Sequence, residues 1–310
     1  MTELSQTILD RFQVRKTKAQ KTAFIRFMQQ QIPELTVEEG GFGNSRNLIV
    51  GDVSSAKTVL TAHYDTCAVL PVPNLIFPKN IVLSLLYGVL LALPLLILSG
   101  VFTWLFDQLA VSGLISGQLA FLFSELMLLV LLAAFIGLLY FGKANRHTVN
   151  DNTSGVLLLC ELYAAMTEEQ KKKTALVFFD NEEMGLLGSS FFRKRHRSEM
   201  KDKLLINFDC ISDGDTILLM PNRKTQKRRG DAITTAYPAA DGKTVSVLPS
   251  SRVFYPSDQA GFPYAVGAAA FRRSALGLYL GRIHTPRDTV LDETNLTLLR
   301  DGTLKLIDRL

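Results

Sequence analysis

Histidine and carboxylate side chains recur in short clusters along the 310-residue chain, and several of these clusters directly follow an apolar run. The chain has only four histidines, and two of them fall in the clusters. Imidazole nitrogen and carboxylate oxygen are ligands that zinc and similar divalent ions take in proteins. The clusters therefore predict a metal site, with candidate residues at His63, Asp65, Asp151, Glu182, Glu183, Asp209 and His284.

The spacing within two of the clusters indicates separate roles. His63 and Asp65 lie two residues apart on a predicted extended segment, so their side chains share a face and Asp65 can hold the second ring nitrogen of His63. Glu182 and Glu183 follow a predicted strand at a turn, where adjacent side chains can point to a metal and to an attacking water. Singly, each fragment is more typical of a structural or solvated residue, and Asp151 alone could cap a helix.

Apolar, β-branched runs alternate with segments of helical periodicity. Strands are predicted at 47–51, 57–62, 174–179, 203–208, 216–220 and 268–271, and helices within 1–31 and at 154–166, 185–195 and 291–310. This alternation predicts an α/β fold with a mostly parallel central sheet flanked by helices. In such sheets ligands bind beyond the carboxyl ends of the strands, which is where we expect the metal clusters to meet.

The apolar residues, 47% of the chain, are concentrated in 80–142, where Asp107 and Glu125 are the only charged residues. The runs 81–106 and 119–141 each exceed the roughly 20 apolar residues that a membrane-spanning helix needs. Basic residues flank the segment at 79, 143 and 146 but are missing from the connection 107–118, which predicts a two-span hairpin with both ends in the cytoplasm. A buried helix pair in a soluble oligomer is the alternative. Glu125 is expected to face the partner helix or another copy.

Two further features concern compartment and partners. Cys67, Cys160 and Cys210 show no pairing pattern and the first residues lack a signal-peptide core, so a reducing, cytosolic setting is expected for the polar part. The net charge of +5 is concentrated in the basic runs 193–197 and 223–229. These runs are interpreted as solvated loops or helix ends, with an anionic membrane face as the alternative. No nucleic-acid-binding motif accompanies them, and no nucleic-acid partner is expected.

The fragments TAHYDT, NDNTSG, DNEEMGLLGS, NFD and HTPRDT appear in this order. Together they resemble the signature of the zinc-dependent aminopeptidases and glutamate carboxypeptidases with two co-catalytic metals, peptidase family M28. The resemblance covers 45–79 and 143–290. It implies a three-layer α/β/α zinc-exopeptidase fold in a discontinuous domain, formed by 1–79 and 143–310, into which the hairpin 80–142 is inserted.

The resemblance also implies a role for each candidate residue. Asp151 would bridge two Zn²⁺ ions, for which Co²⁺ or Mn²⁺ could substitute. His63 and Asp209 would complete the ligands of one ion, and Glu183 and His284 those of the other. Glu182 would be the general base and Asp65 the residue that orients His63. Ser257-Asp258 resembles a family Ser-Asp-His segment, but Gln259 replaces the histidine, a departure that bears on substrate contacts.

The resulting hypothesis is a membrane-anchored aminopeptidase that hydrolyses N-terminal residues of peptides, with its catalytic domain facing the cytoplasm. Its partners would be a peptide substrate and the lipid bilayer, the latter through 81–141, and the oligomeric state is left open. A glutaminyl cyclase-like enzyme with a single zinc ion is the second interpretation. A non-catalytic membrane receptor or scaffold with a peptidase-like domain is the third.

Overall fold

Strands and helices alternate along the chain in the computed structural model, which describes residues 1–70, 72–239 and 242–310. The strands are β1 (Thr36–Gly40), β2 (Ser45–Val50), β3 (Thr58–His63), β4 (Thr174–Phe179), β5 (Leu204–Phe208), β6 (Thr216–Pro221), β7 (Thr244–Val247), β8 (Ala265–Ser274) and β9 (Gly277–Tyr279). The α-helices are α1 (Glu3–Arg11), α2 (Lys18–Gln31), α3 (Ile81–Val111), α4 (Gly117–Phe141), α5 (Ser154–Ala165), α6 (Glu168–Lys173), α7 (Leu187–Arg195), α8 (Arg223–Ala236) and α9 (Glu293–Asp308). The chain divides into two units, Met1–Lys79 with Ala144–Leu310, and Asn80–Lys143.

The first unit is built on one mixed sheet with the strand order β1-β2-β4-β3-β5-β8-β6-β7, while β9 pairs with β8. The central strands β4, β3, β5 and β8 run parallel, and β6 and β7 are parallel to each other. The pairs β1–β2, β2–β4, β6–β8 and β8–β9 are antiparallel. The parallel sheet predicted from the sequence is therefore restricted to the central strands and the β6–β7 pair. The central strands β3, β4 and β5 are buried throughout, as expected of parallel strands that are covered on both faces.

Both faces of the sheet are covered by helices. Successive strand residues point to opposite faces, so Leu60 and Leu176 belong to one apolar core while their neighbours Val59 and Ala175 belong to the other. Helices α1, α2, α5, α8 and α9 contribute to the first core, and α7 contributes Phe192 to the second. The predicted α/β fold with a central sheet flanked by helices is confirmed.

Several element boundaries differ from the predicted ones. The segment predicted as one helix within 1–31 forms α1 and α2, because Thr17 and Gln20 make a capping box that starts a new helix at Lys18. The basic run 223–229 lies in the first turns of α8, where Oδ1 of Asn222 accepts the N–H of Thr225 as the N-cap. The run 193–197 covers the end of α7, as expected for a helix end. Strands β1 and β7 were not predicted, because both are short and half-exposed.

The second unit is a pair of helices, α3 and α4, that pack against each other, with the rings of Phe106 and Phe123 5.6 Å apart. Both helices are long and apolar enough to cross a membrane, with mean hydropathies of 2.7 and 2.6. Helix α3 continues beyond residue 106 to Val111. The charged Asp107 ends the apolar run, but aspartate is compatible with a helix and does not end it. Gly113, at φ +76°, lies just after the end of α3. The connection is therefore Ser112–Ser116, shorter than predicted.

The side chain of Glu125 is exposed, so it does not lie in the contact between α3 and α4; the other half of the expectation, that it faces another copy, stays a prediction. The buried residues of α4 are instead the small Ala120 and Ser124. Small side chains allow two helix backbones to approach closely, which explains why they and not Glu125 lie in the contact.

Candidate active site

Three predicted site positions meet at one edge of the sheet because they end neighbouring parallel strands. His63 is the last residue of β3, and β3 lies between β4 and β5. Glu182 and Glu183 follow β4 after a short turn, and Asp209 directly follows β5. The sheet register thus carries side chains that are far apart in sequence to the same edge, as the strand pattern predicted.

Asp151 and His284 reach this edge from loops and not from strand ends. Asp151 lies in the segment that precedes α5, and His284 lies in the loop after β9. The Asp151 loop is tied down on one side by Asp288, whose carboxylate accepts the backbone N–H of Asp151 at 3.0 Å. On the other side, the amide nitrogen of Asn152 donates to the carbonyl of Phe208 at 2.9 Å. Hydrogen bonds therefore do the positioning that a strand would otherwise do.

The two carboxylate oxygens of Asp151 face different histidines. Its Oδ1 lies 3.3 Å from Nε2 of His63, which is itself 3.5 Å from Oδ1 of Asp209. Its Oδ2 lies 3.1 Å from Nε2 of His284, which is 3.3 Å from Oε2 of Glu183. The structure thus brings the five predicted metal ligands into two groups that share Asp151.

The donor set and its unpaired atoms fit divalent metal ions. Oδ1 of Asp209 and Oε1 of Glu183 are buried and have no hydrogen-bond partner among the described residues, whereas Oδ2 of Asp209 accepts from Ser257 at 2.6 Å. A buried carboxylate oxygen without a partner carries a large desolvation cost. A cation placed between these residues would remove it, and their nitrogen and oxygen donors suit zinc.

Asp65 contacts both sides of the candidate site. Nδ1 of His63 lies 3.1 Å from the carbonyl oxygen of Asp65 and 3.6 Å from its Oδ1. The same carboxylate accepts the backbone N–H groups of Glu182 at 3.0 Å and Glu183 at 3.2 Å. Burial opposes its ionisation, but His63, Lys21 and the N–H of Glu182 outweigh burial and hold the pKa of Asp65 below its usual value. Asp65 is therefore an ionised carboxylate that fixes the histidine and the glutamate turn together.

The glutamate pair lies in a strongly anionic, buried environment. Burial raises the pKa of Glu182 well above its usual value; His63 opposes this shift and the Glu183 carboxylate adds to it. Burial also raises the pKa of Glu183 to about 8, with His284 opposing and Asp151 adding to the shift. Such displacement of carboxyl pKa values toward neutrality is typical of metal and acid–base sites.

The N-terminal region supplies two buried cations that sequence reasoning did not find. Nζ of Lys21 donates to Oδ1 of Asp180 and to Oδ1 of Asn181, both at 2.6 Å, at the turn that presents Glu182. The Arg15 guanidinium donates to the carbonyls of Tyr64 and Phe12 and to the hydroxyl of Thr153. No sequence signal separates these two residues from solvated surface charges, because the segment has ordinary helical patterning.

Asp288 and Ser257 are the other site residues that lacked an assigned role. Asp288 belongs to the fragment HTPRDT. Its position four residues after His284 is the one feature of the sequence that could have indicated a role at the site. Next to Ser257, Gln259 lies where the family pattern has a histidine. Its side chain accepts from Nδ2 of Asn207 at 3.1 Å and donates to the carbonyl of Tyr255 at 2.9 Å, a packing role in the loop that holds Ser257.

Comparison with known proteins agrees with this geometry. The model of peptidase family M28 matches residues 138–305. The chain is similar in structure to the LapA aminopeptidase of Legionella pneumophila, with a TM-score of 0.56 and 11% identity over 98% of this chain and 69% of that one. It is also similar to the glutaminyl cyclase of Macrostomum lignano, with a TM-score of 0.55 and 12% identity over 99% and 89% of the two chains. At these identities the likeness shows the fold. No curated relative matches in sequence.

The family match includes most of the candidate site. Asp151, Glu182, Glu183, Asp209 and His284 lie inside the matched residues, which make up more than half of the chain, while His63 and Asp65 lie before them. The structure brings both residues to the matched part of the chain, because β3 ends in His63 beside Asp151, and Asp65, which follows the strand, accepts the N–H of Glu182. The chain therefore belongs to peptidase family M28, a family of metallopeptidases.

Proposed function

We propose that the protein is a membrane-anchored di-zinc aminopeptidase that removes N-terminal residues from peptides. The observation that carries the proposal is Asp151, which turns one oxygen to His63 at 3.3 Å and the other to His284 at 3.1 Å. A carboxylate shared in this way is the arrangement that two neighbouring ions require. The family supplies the peptide substrate class, and the aminopeptidase LapA shares the fold.

The chain's own residues would hold the two ions in two groups that share Asp151. His63, Asp151 and Asp209 form one group, and Asp151, Glu183 and His284 lie in the other. When bound, the metal ions would supply an acidified water and polarise the peptide carbonyl. Zinc suits the nitrogen and oxygen donors, and Co²⁺ or Mn²⁺ are expected substitutes.

Glu182 is the proposed proton carrier of the reaction. Its side chain lies in a group with His63 and Glu183, so it borders both metal groups. It would accept a proton from the attacking water and return it to the amine that leaves when the C–N bond breaks. Burial raises its pKa well above that of a solvated glutamate, so the Glu182 carboxylate binds a proton more strongly.

Asp65 is proposed as a positioning residue. It contacts His63 through Nδ1 and receives the N–H groups of Glu182 and Glu183. Through these contacts it would set the ring orientation of one metal ligand and the direction of the proton carrier at the same time. Outer residues of this kind change metal affinity or activity by about 10- to 100-fold when they are replaced.

The substitution Glu182→Gln tests the catalytic assignment. The zinc-loaded variant is expected to keep the wild-type metal content and to lose roughly 100- to 10,000-fold in turnover of aminoacyl reporter substrates. Glu169→Gln, on the exposed surface of α6, is the matched control and should retain full activity. An N-acetylated reporter should remain intact, because an aminopeptidase needs the free amine. Unchanged turnover in Glu182→Gln would remove Glu182 from the mechanism.

A glutaminyl cyclase shares the fold, and the same preparation separates the two activities. The proposed peptidase binds two ions per chain and releases the N-terminal residue. A single ion together with cyclisation of an N-terminal glutamine would replace this proposal with the cyclase function.

We also propose that 80–142 anchors the enzyme in a membrane, with the catalytic domain 1–79 and 143–310 on the cytoplasmic side. The support is the length and hydropathy of α3 and α4, together with basic residues at 79, 143 and 146 and none in Ser112–Ser116. A cysteine placed at Gly113 should react with a membrane-impermeant reagent added to intact cells. A cysteine placed at exposed Glu169 should react only after lysis, and the reverse pattern would invert the orientation.

A further inference from the structure

Cys67 lies among the ligand atoms of one metal group. Its sulfur, an oxygen of Asp151, an oxygen of Glu183 and a ring nitrogen of His284 all lie within 4.8 Å of one another. The thiol is buried and forms no disulfide. This cysteine therefore occupies a position from which it can ligate the same ion as the three other residues.

The surroundings of Cys67 differ from those of Cys160, which is packed into an apolar cluster of the domain. Cys210 also lies in an apolar cluster, and although its thiol is close to Asp209, it belongs to none of the metal-ligand groups formed by the described residues. Cys67 belongs to none of the apolar clusters formed by the described residues, and its closest charged neighbours include Glu183 and Asp151. A thiol kept for packing would be expected among apolar side chains, and this one is turned to carboxylates and an imidazole.

Backbone contacts hold the cysteine beside the histidine. The carbonyl of Cys67 accepts the N–H of Asn145 at 3.1 Å, and the N–H of Leu70 donates to the carbonyl of His284 at 2.8 Å. The side-chain amide of Asn145 donates to the carbonyl of Thr285 at 3.0 Å, next to His284. The segments that carry Cys67 and His284 are thus fastened to each other directly and through Asn145.

The separations suit one ion with four protein ligands. Around a tetrahedral ion, zinc–sulfur bonds of about 2.3 Å and zinc–nitrogen or zinc–oxygen bonds of about 2.0–2.2 Å place two ligand atoms about 3.3–3.7 Å apart. The ligand atoms of this group, which lie within 4.8 Å of one another, would therefore move together by up to about 1.5 Å when they close round an ion. Oε1 of Glu183, which is buried and has no hydrogen-bond partner in the described part of the chain, is a further atom that such an ion would satisfy.

We propose that Cys67 is a fourth protein ligand, as the thiolate, of the metal ion held by Asp151, Glu183 and His284. This inference rests on the proposed function, because it assigns an additional ligand to one of its two ions. Binding would release the thiol proton to solvent and form a metal–sulfur bond. The two sites then differ, since four protein ligands close a tetrahedral ion, whereas the group of His63, Asp151 and Asp209 leaves a position open for reaction.

Cobalt spectroscopy of the full chain in detergent tests the ligand directly. The metal-stripped protein loaded with Co²⁺ should develop a near-ultraviolet thiolate-to-cobalt charge-transfer band. Cys67→Ser should abolish this band and weaken the binding of one of the two ions by at least about tenfold. Cys160→Ser is the matched control and should keep both the band and the affinity. Cys67→Ala serves as a second variant, and thermal unfolding of each variant checks that it is folded.

The outcomes separate this inference from the proposed function. Two bound Co²⁺ ions without a thiolate band, or a band that persists in folded Cys67→Ser, would overturn the cysteine ligand and leave the di-metal site standing. A protein that binds no Co²⁺ would overturn both proposals. Loss of the band in Cys160→Ser together with its retention in Cys67→Ala would show that Cys160 and not Cys67 supplies the sulfur, which would overturn the proposal.

Discussion

Oδ2 of Asp288 accepts the backbone N–H of Asp151 at 3.0 Å, so a residue near the C-terminal helix fixes the carboxylate that the two candidate metal groups share. Its Oδ1 accepts the N–H of Asn150 at 2.7 Å. Burial raises the pKa of Asp288 to about 7 and the Asp151 carboxylate adds to this, while the two N–H groups favour the ionised form. Asp288 is thus a buried residue whose positioning role requires both carboxylate oxygens to accept a hydrogen bond.

Asp288→Asn should weaken metal binding although Asp288 is not itself a ligand. An amide keeps one acceptor and turns an N–H₂ group toward the second backbone N–H, so one hydrogen bond to the loop is lost. We expect zinc affinity to fall by about 10- to 100-fold and the free energy of unfolding to fall by about 1–3 kcal/mol. Zinc titration and urea unfolding measure these two effects. Asp301→Asn, whose side chain is 47% exposed, is the control, and equal zinc affinity in both variants would refute the positioning role.

Lys21→Met should destabilise the domain strongly. The substitution leaves Asp180 buried without its cation, and removing one partner of a buried ion pair costs about 3–5 kcal/mol. The turn that presents Glu182 should loosen as well, because Lys21 also holds Asn181. Urea unfolding measures the loss, with Lys18→Met on the exposed face of α2 as the control. The double variant Lys21→Met/Asp180→Asn should recover part of the stability, and a loss under about 1 kcal/mol in the single variant would contradict the buried pair.

The contribution of His196 to stability should depend on pH. Its ring lies 2.9 Å from Glu38 and 2.8 Å from Glu199. The Glu38 carboxylate raises the pKa of His196 above its usual value; partial burial opposes this shift and Glu199 adds to it. A folded-state pKa above the unfolded one means that the stabilisation is complete below about pH 6.5. It is lost as the pH rises through the folded-state pKa.

The comparison of wild type with His196→Gln between pH 5.5 and pH 9 measures this effect. The difference in urea midpoint should be largest at the acid end and should shrink as the pH rises. Glu38→Gln removes the main cause of the pKa shift of His196. When both proteins carry Glu38→Gln, the difference in urea midpoint caused by His196→Gln should therefore vary less with pH. A difference that grows with pH would reverse the sign and contradict the pair.

Replacement of 80–142 by a short flexible linker should give a soluble domain that binds zinc. The first unit has its own apolar cores, and among the residues that the structure describes neither α3 nor α4 contributes to them. Removing the exposed apolar side chains of the two helices removes the need for detergent. Size-exclusion chromatography and zinc content measure the outcome. An aggregated product without bound zinc would mean that the hairpin is required for the fold.

The predictability of the site follows from the way each residue is positioned. His63, Glu182, Glu183 and Asp209 could be placed from the sequence, because each follows a buried strand with an unmistakable apolar run. Asp151 and His284, which were expected to meet the others at this edge of the sheet, lie in loops whose paths depend on hydrogen bonds such as those of Asp288. Those bonds leave no periodic signal.

Arg15, Lys21 and Cys67 were not assigned to the site for a related reason. The sequence does not distinguish a buried arginine or lysine from a solvated one. Only the packing of the N-terminal segment shows that Arg15 and Lys21 are buried. Cys67 matches no pairing pattern or motif in the sequence. Only the structure shows that its sulfur lies near the ligand atoms of His284 and Glu183. The end of α3 was misplaced at 106 because a charged residue ends an apolar run without ending a helix.

The most direct test is the rate of peptide hydrolysis measured as zinc is added back to the metal-stripped, full-length protein. With Asp151 shared between two ions, release of the N-terminal residue should rise with added zinc and reach its plateau at two equivalents per chain. Asp151→Asn should not reach that plateau at any zinc concentration that leaves wild type fully active. A plateau at one equivalent, or no hydrolysis with two zinc ions bound, would contradict the di-zinc aminopeptidase.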